Sequence, residues 1–357
     1  MFYITNAILL AVSSVSNYAK KIENIVYRLM WVYMTFVLCT RYGQGTDYFG
    51  YYYNYIYGDA HSEFLWKKIT EILYKNGINF EIFIAVIGIL SMILIDACIR
   101  KNSTNKCLAL LLLYPTIYYV YFFSSIRMGL AIAIFMGILI PILQKKRYLY
   151  YYLICIFVFL LHSASIIFMV IPFFLLLSKD KQVIVVLFSF VIGMTLYFIP
   201  AQVFYSLNIG SLRYYIDARG IGILALLEKV FVFMLVLLFY KKDDIFSGIF
   251  FFAISFSFMT ISWQFISSRF FVLCGCTYII LLSNILNEQR LRGNVVILWG
   301  IIVMYSIIIL CKNINAYLVQ SSLENFTILT CPYINIFNKD KYGDALKILD
   351  IYEIITK

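Results

Sequence analysis

Long uninterrupted apolar runs constrain this chain more than any other feature. Residues 82–99 and 295–311 are nearly free of charge, and a helix needs roughly 20 apolar residues to cross the hydrocarbon of a bilayer. Only helices and closed barrels satisfy their backbone polar groups in lipid. The runs are continuous and lack the strict alternation of a barrel strand, which leaves helices. Composition agrees: of 357 residues, 63% are hydrophobic and only 13% charged, with a mean hydropathy of +0.88. A soluble domain of this size needs more charge on its surface. The expected fold class is therefore an all-α integral membrane protein.

Twelve spans are predicted, at about residues 2–18, 24–40, 80–99, 107–123, 126–143, 149–161, 163–178, 183–199, 222–240, 245–263, 268–286 and 295–311. Residues 1–311 then form the membrane domain and residues 312–357 a tail. The net charge of +11 does not point to nucleic acid, because the basic residues cluster in short loops, as topology signals do. One set of six loops holds 14 of them, including Lys145, Lys146, Arg147, Lys241, Lys242, Arg290 and Arg292. The alternate set holds eight: Arg41, Lys67, Lys68, Lys75, Arg127, Arg213, Arg219 and Arg269. The positive-inside rule makes the first set cytoplasmic. Both termini and the tail then face outward. The eight cysteines have no metal-binding spacing, and most lie within apolar runs as small hydrophobes. The first run lacks the basic flank and small-residue cleavage site of a signal peptide, so it is read as a span.

Two outer loops, 41–79 and 200–221, are longer than a turn and rich in Tyr, Asp, Arg and Asn. The first opens Arg41-Tyr-Gly-Gln-Gly-Thr-Asp47, followed by tyrosines at 48, 51, 52, 53, 55 and 57. Tyr48 and Tyr52 are candidates for stacking on sugars; the alternative is an interfacial aromatic belt. Arg127, in Ser124-Ser-Ile-Arg127-Met-Gly, sits where an apolar span meets the outer boundary. A cation there needs a partner or a wet cavity, and its fork suits phosphate; the alternative is snorkelling to headgroups. Arg269 begins another span in the same way. Arg213 and Arg219 flank Asp217 in the second long loop, and solvated pairing is their alternative. His162 lies at an outer turn, where it serves either structure or proton transfer. Arg41, Asp47, Arg127, His162, Arg213, Arg219 and Arg269 all map to one membrane face. An arginine-rich, tyrosine-lined outer cavity suits a phosphorylated amphiphile carrying sugars.

At these residues the chain resembles the EpsG-like family of polysaccharide polymerases, relatives of the Wzy O-antigen polymerases. The likeness rests on Gly45-Thr46-Asp47-Tyr48, on Ile126-Arg127-Met-Gly-Leu-Ala131 and on His162-Ser-Ala, in order, with Arg269 before an aromatic pair in support. It extends to about Leu286, and Met128 stands where the pattern has a Gln. The resemblance implies a GT-C-like membrane glycosyltransferase at the outer leaflet of the bacterial cytoplasmic membrane, with no cofactor and no metal. Its substrates would be undecaprenyl-pyrophosphate-linked oligosaccharide repeat units. Membrane lipids and a chain-length regulator protein are further expected partners, and nucleic acid is not. In this scheme Arg41, Arg127, Arg213, Arg219 and Arg269 bind the leaving pyrophosphate, and His162 or Asp47 takes the acceptor proton. A flippase for the same lipid-linked units and an O-antigen ligase are the alternatives.

Overall fold

The computed structural model describes residues 1–18, 20–58, 63–199, 220–239, 244–286, 294–321, 323 and 325–350. Helix is the main regular structure among the described residues, which otherwise show two isolated β-bridges. Every segment predicted to span carries a helix, but most of these helices are short. Five are long and apolar enough to cross a membrane: α2 (Lys20–Thr40), α5 (Phe80–Asn102), α7 (Ile126–Gln144), α10 (Lys179–Phe198) and α15 (Val295–Gln320). A sixth span arises if α13 (Gln264–Gly275) and α14 (Tyr278–Ile285), which bend by 61° at their junction, are taken together. The remaining apolar helices are shorter: α1 (Phe2–Ser14), α6 (Lys106–Phe122), α8 (Tyr148–Leu161), α9 (Ser163–Leu175), α11 (Ile223–Phe239) and α12 (Ile245–Met259). Among the described residues, five or six of the twelve predicted spans thus meet the length of a bilayer as helices. The chain is a multi-pass membrane protein.

The chain divides into two compact units. The first comprises residues 1–141, 156–164 and 283–357. Within it, α2 packs on α5, α1 on α6, and α5 on α7. Helix ends are tied by buried polar groups. The Asn105 side chain caps α6 by accepting from Leu108 N, and the buried Glu23 carboxylate accepts from Lys106 N at 2.8 Å. At the end of α5, Asp96 holds Arg100 one turn on at 2.9 Å and accepts from the Tyr27 hydroxyl. Arg100 and Lys101 in that last turn also suit the negative end of the helix dipole. A π-type stretch over Tyr114–Phe122 widens α6 from Pro115, which cannot donate to the ladder.

The region expected to be one long loop, residues 41–79, contains two helices instead: α3 (Tyr48–Tyr57) and α4 (Phe64–Lys75). Helix α4 buries Trp66 and Thr70 and exposes Phe64 and Ile72, so the lysines that mark it as loop-like are the polar part of an amphipathic helix. After α15, which continues nine residues past its predicted end to Gln320, the chain returns over the end of α2. Tyr42 N donates to Ile334 O, Ile336 N donates to Thr40 O, and Gln44 Nε2 donates to Pro332 O at 2.9 Å. The Tyr333 hydroxyl reaches Val37 O at 2.6 Å, and a short helix, α16 (Gly343–Leu349), lays Leu346 against Gly43.

The second unit comprises residues 142–155 and 165–282. Here α12 packs against both α10 and α13. The α10–α12 crossing is so close that a Cβ on Gly193 would lie 1.9 Å from the Phe258 carbonyl oxygen. Such small-residue contacts let helix backbones meet where the hydrophobic effect gives no drive.

Candidate functional site

The site lies within the first unit and begins at Gly45. Its φ of +97° is unfavourable for other residues, and an added Cβ would sit 2.7 Å from Ser124 Cα. The Gly45-Thr46-Asp47 loop therefore lies directly on the Ser124-Ser125 turn between α6 and α7. Asp47 N donates to Ser124 Oγ at 3.1 Å, and Ser125 Oγ donates to Asp47 Oδ2 at 2.6 Å. Asp47 itself remains exposed. Two residues beyond Ser125, Arg127 starts α7.

Glu63, the N-cap residue of α4, ties three of these elements together. It forms an ion pair through Oε2 with Arg127 Nη1. Its Oε1 accepts from Ser163 N at 2.9 Å and Ser163 Oγ at 3.0 Å, and lies 3.7 Å from His162 Nδ1. His162 closes α8 through its backbone N–H to Val158 O, at the turn into α9. The side chains are mostly shielded: Glu63 is 17% exposed, Arg127 24% and His162 14%. On its other side Arg127 donates from Nε to the Tyr51 hydroxyl at 3.3 Å, and its guanidinium carbon lies 5.4 Å from the Tyr51 ring centre. Trp66 packs against Tyr51 from below.

Burial alone would raise the Glu63 carboxyl, but the Ser163 N–H, the Arg127 guanidinium and His162 outweigh it and hold it below the usual 4.5. The sign follows from linkage. A depressed carboxyl adds stability above its unfolded value, and that contribution is lost as pH falls through the lower folded value. The Glu63–Arg127 pair is thus favoured near neutrality and is lost on acidification, as Glu63 protonates.

Arg41 occupies a different place. It is 1% exposed, beneath the returning tail. Its Nη1 donates to Leu38 O at 2.6 Å and its Nε to Phe123 O at 3.3 Å, so it joins the C-terminal ends of α2 and α6. A cation at two helix C-termini is favoured by both dipoles. Among the described residues it has no carboxylate partner. Arg41→Ala is expected to destabilise the protein by on the order of 3 kcal/mol, through two lost charge-assisted bonds and a cavity. A thermal unfolding series in detergent checks this, and an unchanged midpoint would remove the stapling role.

Of the remaining predicted residues, Tyr48 is 1% exposed in an aromatic core with Tyr42, Phe49 and Phe80, and keeps no ring face for a sugar. Tyr52 packs edge-on against Phe80 and is half-buried. Arg269 lies in the second unit on α13, 4.0 Å over the Phe265 ring. Arg213 and Arg219 lie outside the described residues. The structure thus brings together Asp47, Arg127 and His162, and adds Glu63, Tyr51, Ser125 and Ser163, which the sequence did not single out. The one signal for Glu63 was indirect: a boundary arginine needs an anion, and the 41–79 segment could supply it.

The site is thus a polar cluster built on loops and helix ends of a multi-pass membrane protein. The sequence profile of the EpsG family matches residues 24–333, and the chain belongs to that family. No curated protein and no solved structure matches the chain.

Proposed function

We propose that the protein is a polysaccharide polymerase that acts on undecaprenyl-pyrophosphate-linked repeat units at the outer leaflet of the bacterial cytoplasmic membrane. Family membership suggests the polymerase-like role, and one observation in the structure supports it most directly. A phosphate-type cation, Arg127, and a proton acceptor, His162, share one carboxylate, Glu63, beside the exposed Asp47.

In this scheme a hydroxyl of the acceptor sugar attacks the anomeric carbon of the donor glycan. The bond from that carbon to the pyrophosphate oxygen breaks, and undecaprenyl pyrophosphate leaves with the electron pair. His162 takes the hydroxyl proton. Arg127 neutralises charge growing on the leaving oxygens, through two parallel hydrogen bonds that a planar fork supplies. Arg269, Arg213 and Arg219 are further candidates for that anion in a GT-C-like arrangement. Asp47 binds the acceptor or orients a cation. Tyr52 offers aromatic surface to sugar rings in place of Tyr48. Arg41 holds the helix ends on which the site is built.

Surface polysaccharide from a deletion strain tests the function. The expected gel loses the ladder of long chains and keeps the single capped repeat. Loss of every surface repeat, with lipid-linked units trapped inside the cell, would instead indicate a flippase. Retention of full-length chains on the lipid carrier without transfer to the core would indicate a ligase.

A further inference from the structure

Glu63 faces two functional groups with one carboxylate, and its two oxygens are held unequally. Oε1 is fixed by both donors of Ser163, the neighbour of His162 in sequence. Oε2 is held by the ion pair to Arg127, at the tip of a long side chain. Arg127 has a second contact, on the Tyr51 hydroxyl and ring. An arriving anion therefore draws away Arg127 and leaves the carboxylate anchored at Ser163.

We infer that Glu63 is a positioning residue that couples donor binding to acceptor activation: the donor pyrophosphate takes Arg127 from Glu63, and the released carboxylate then acts on His162 alone. The inference rests on the polymerase function proposed above and adds the order of events within that site. A pyrophosphate carries more than one negative charge and offers several oxygens, so it outcompetes a single carboxylate for the guanidinium. Once Arg127 has turned, the charge of Glu63 is no longer shared. It lies 3.7 Å from His162 Nδ1, where it favours a proton on that nitrogen. The other ring nitrogen, Nε2, then carries the lone pair that accepts the acceptor proton. Among the described residues, the charged and titratable groups that face Glu63 are Arg127 on α7 and His162 at the α8–α9 turn. Tyr51 and Asp47 stand behind Arg127 on and before α3, and Asp47 is engaged by Ser125. The arrangement keeps the base weak until a donor is in place, so an acceptor hydroxyl is not activated without a glycan to receive.

The sign of one substitution separates this coupling from simple scaffolding. Glu63→Gln keeps the size of the side chain and an oxygen for Ser163, but removes the charge that competes for Arg127. Binding of undecaprenyl pyrophosphate to the full chain in nanodiscs is expected to become several-fold tighter in Glu63→Gln, while turnover falls. Glu63→Asp, which is too short to reach both partners, is expected to tighten binding as well. The chain has two histidines, so His61→Gln leaves His162 as the sole reporter in a 15N-histidine NMR titration. In that background, undecaprenyl pyrophosphate should move the His162 midpoint up by about one pH unit, a tenfold change in proton affinity. The movement should vanish when Glu63→Gln is added. Weaker binding in Glu63→Gln would overturn the coupling, since Glu63 would then orient Arg127 for the phosphate. An equal upward movement in Glu63→Gln would also overturn it, because the pyrophosphate would be acting on His162 directly. Either result leaves the polymerase function standing. Failure of the unmodified chain to bind undecaprenyl pyrophosphate would remove both.

Discussion

His162→Ala is expected to lower polymerisation of purified lipid-linked repeat units by about 10²–10⁴-fold, the usual contribution of a positioned general base, while the protein still inserts in the membrane. A sugar hydroxyl has a high pKa and is a poor nucleophile until its proton has somewhere to go. His162 has the right chemistry, and it sits in a turn fixed at both ends, by its own N–H to Val158 O and by Ser163 on Glu63. Such support favours proton transfer over a group on a mobile loop. Activity of the unmodified enzyme between pH 5.5 and 8.5 should fall on the acid side as the imidazole protonates. Glu63 cannot produce that limb, because its carboxyl lies below 4.5. His162→Gln, of similar size, keeps the packing and should lose the same activity, which guards against a folding artefact. If either variant turned over normally, or kept the acid limb, the base would lie elsewhere, with Asp47 the next candidate.

Arg127→Lys is expected to fail almost as badly as Arg127→Ala, with turnover reduced by about 10²–10³-fold, as for the loss of one donor from an oxyanion site. Lysine keeps the charge but not the planar fork, so it meets pyrophosphate as a point charge. It also keeps the attraction to Glu63, whose carboxylate would hold the compact ammonium. The loss should be seen in turnover and chain length more than in stability, because Arg127 is part-exposed and a part-exposed ion pair contributes little. Normal chain length with lysine at position 127 would reduce Arg127 to a partner for Glu63 and headgroups.

The apolar architecture was legible from the sequence because lipid imposes a simple rule, and each predicted span falls on a helix. The length of each helix was not, since an apolar run such as residues 2–18 carries a helix of only 13 residues, Phe2–Ser14, while the run at 24–40 carries one of 21, Lys20–Thr40. The motif residues Asp47, Arg127 and His162 were found because charge at a membrane boundary is conspicuous. Glu63 was missed for a physical reason: its partners lie 64 and 100 residues away, and no local periodicity records such a contact. Helix α4, which places Glu63, was hidden by its own lysines, three among 12 residues. Arg41 and Tyr48 were visible as residue types but not as buried ones, because burial there depends on residues distant in sequence, Phe123 for Arg41 and Phe80 for Tyr48.

That tail sets a schedule for biogenesis. The hydrogen bond from Gln44 to Pro332 joins positions 288 residues apart, so the ribosome adds all the residues between them before the C-terminal end of α2 can be clasped. Chain synthesis runs from the N-terminus, and early segments fold as they emerge. The first helices can therefore enter the bilayer long before Arg41 is enclosed. Residues 332–336 are made only after α15, which precedes them. A nascent chain arrested before that point carries Asp47, Glu63, Arg127 and His162 but not the backbone pairing that seats their loop. Synthesis of the segment after α15 thus acts as a maturation step, because the backbone pairing at Thr40 and Tyr42, beside the Asp47 loop, forms only once residues 334–336 exist.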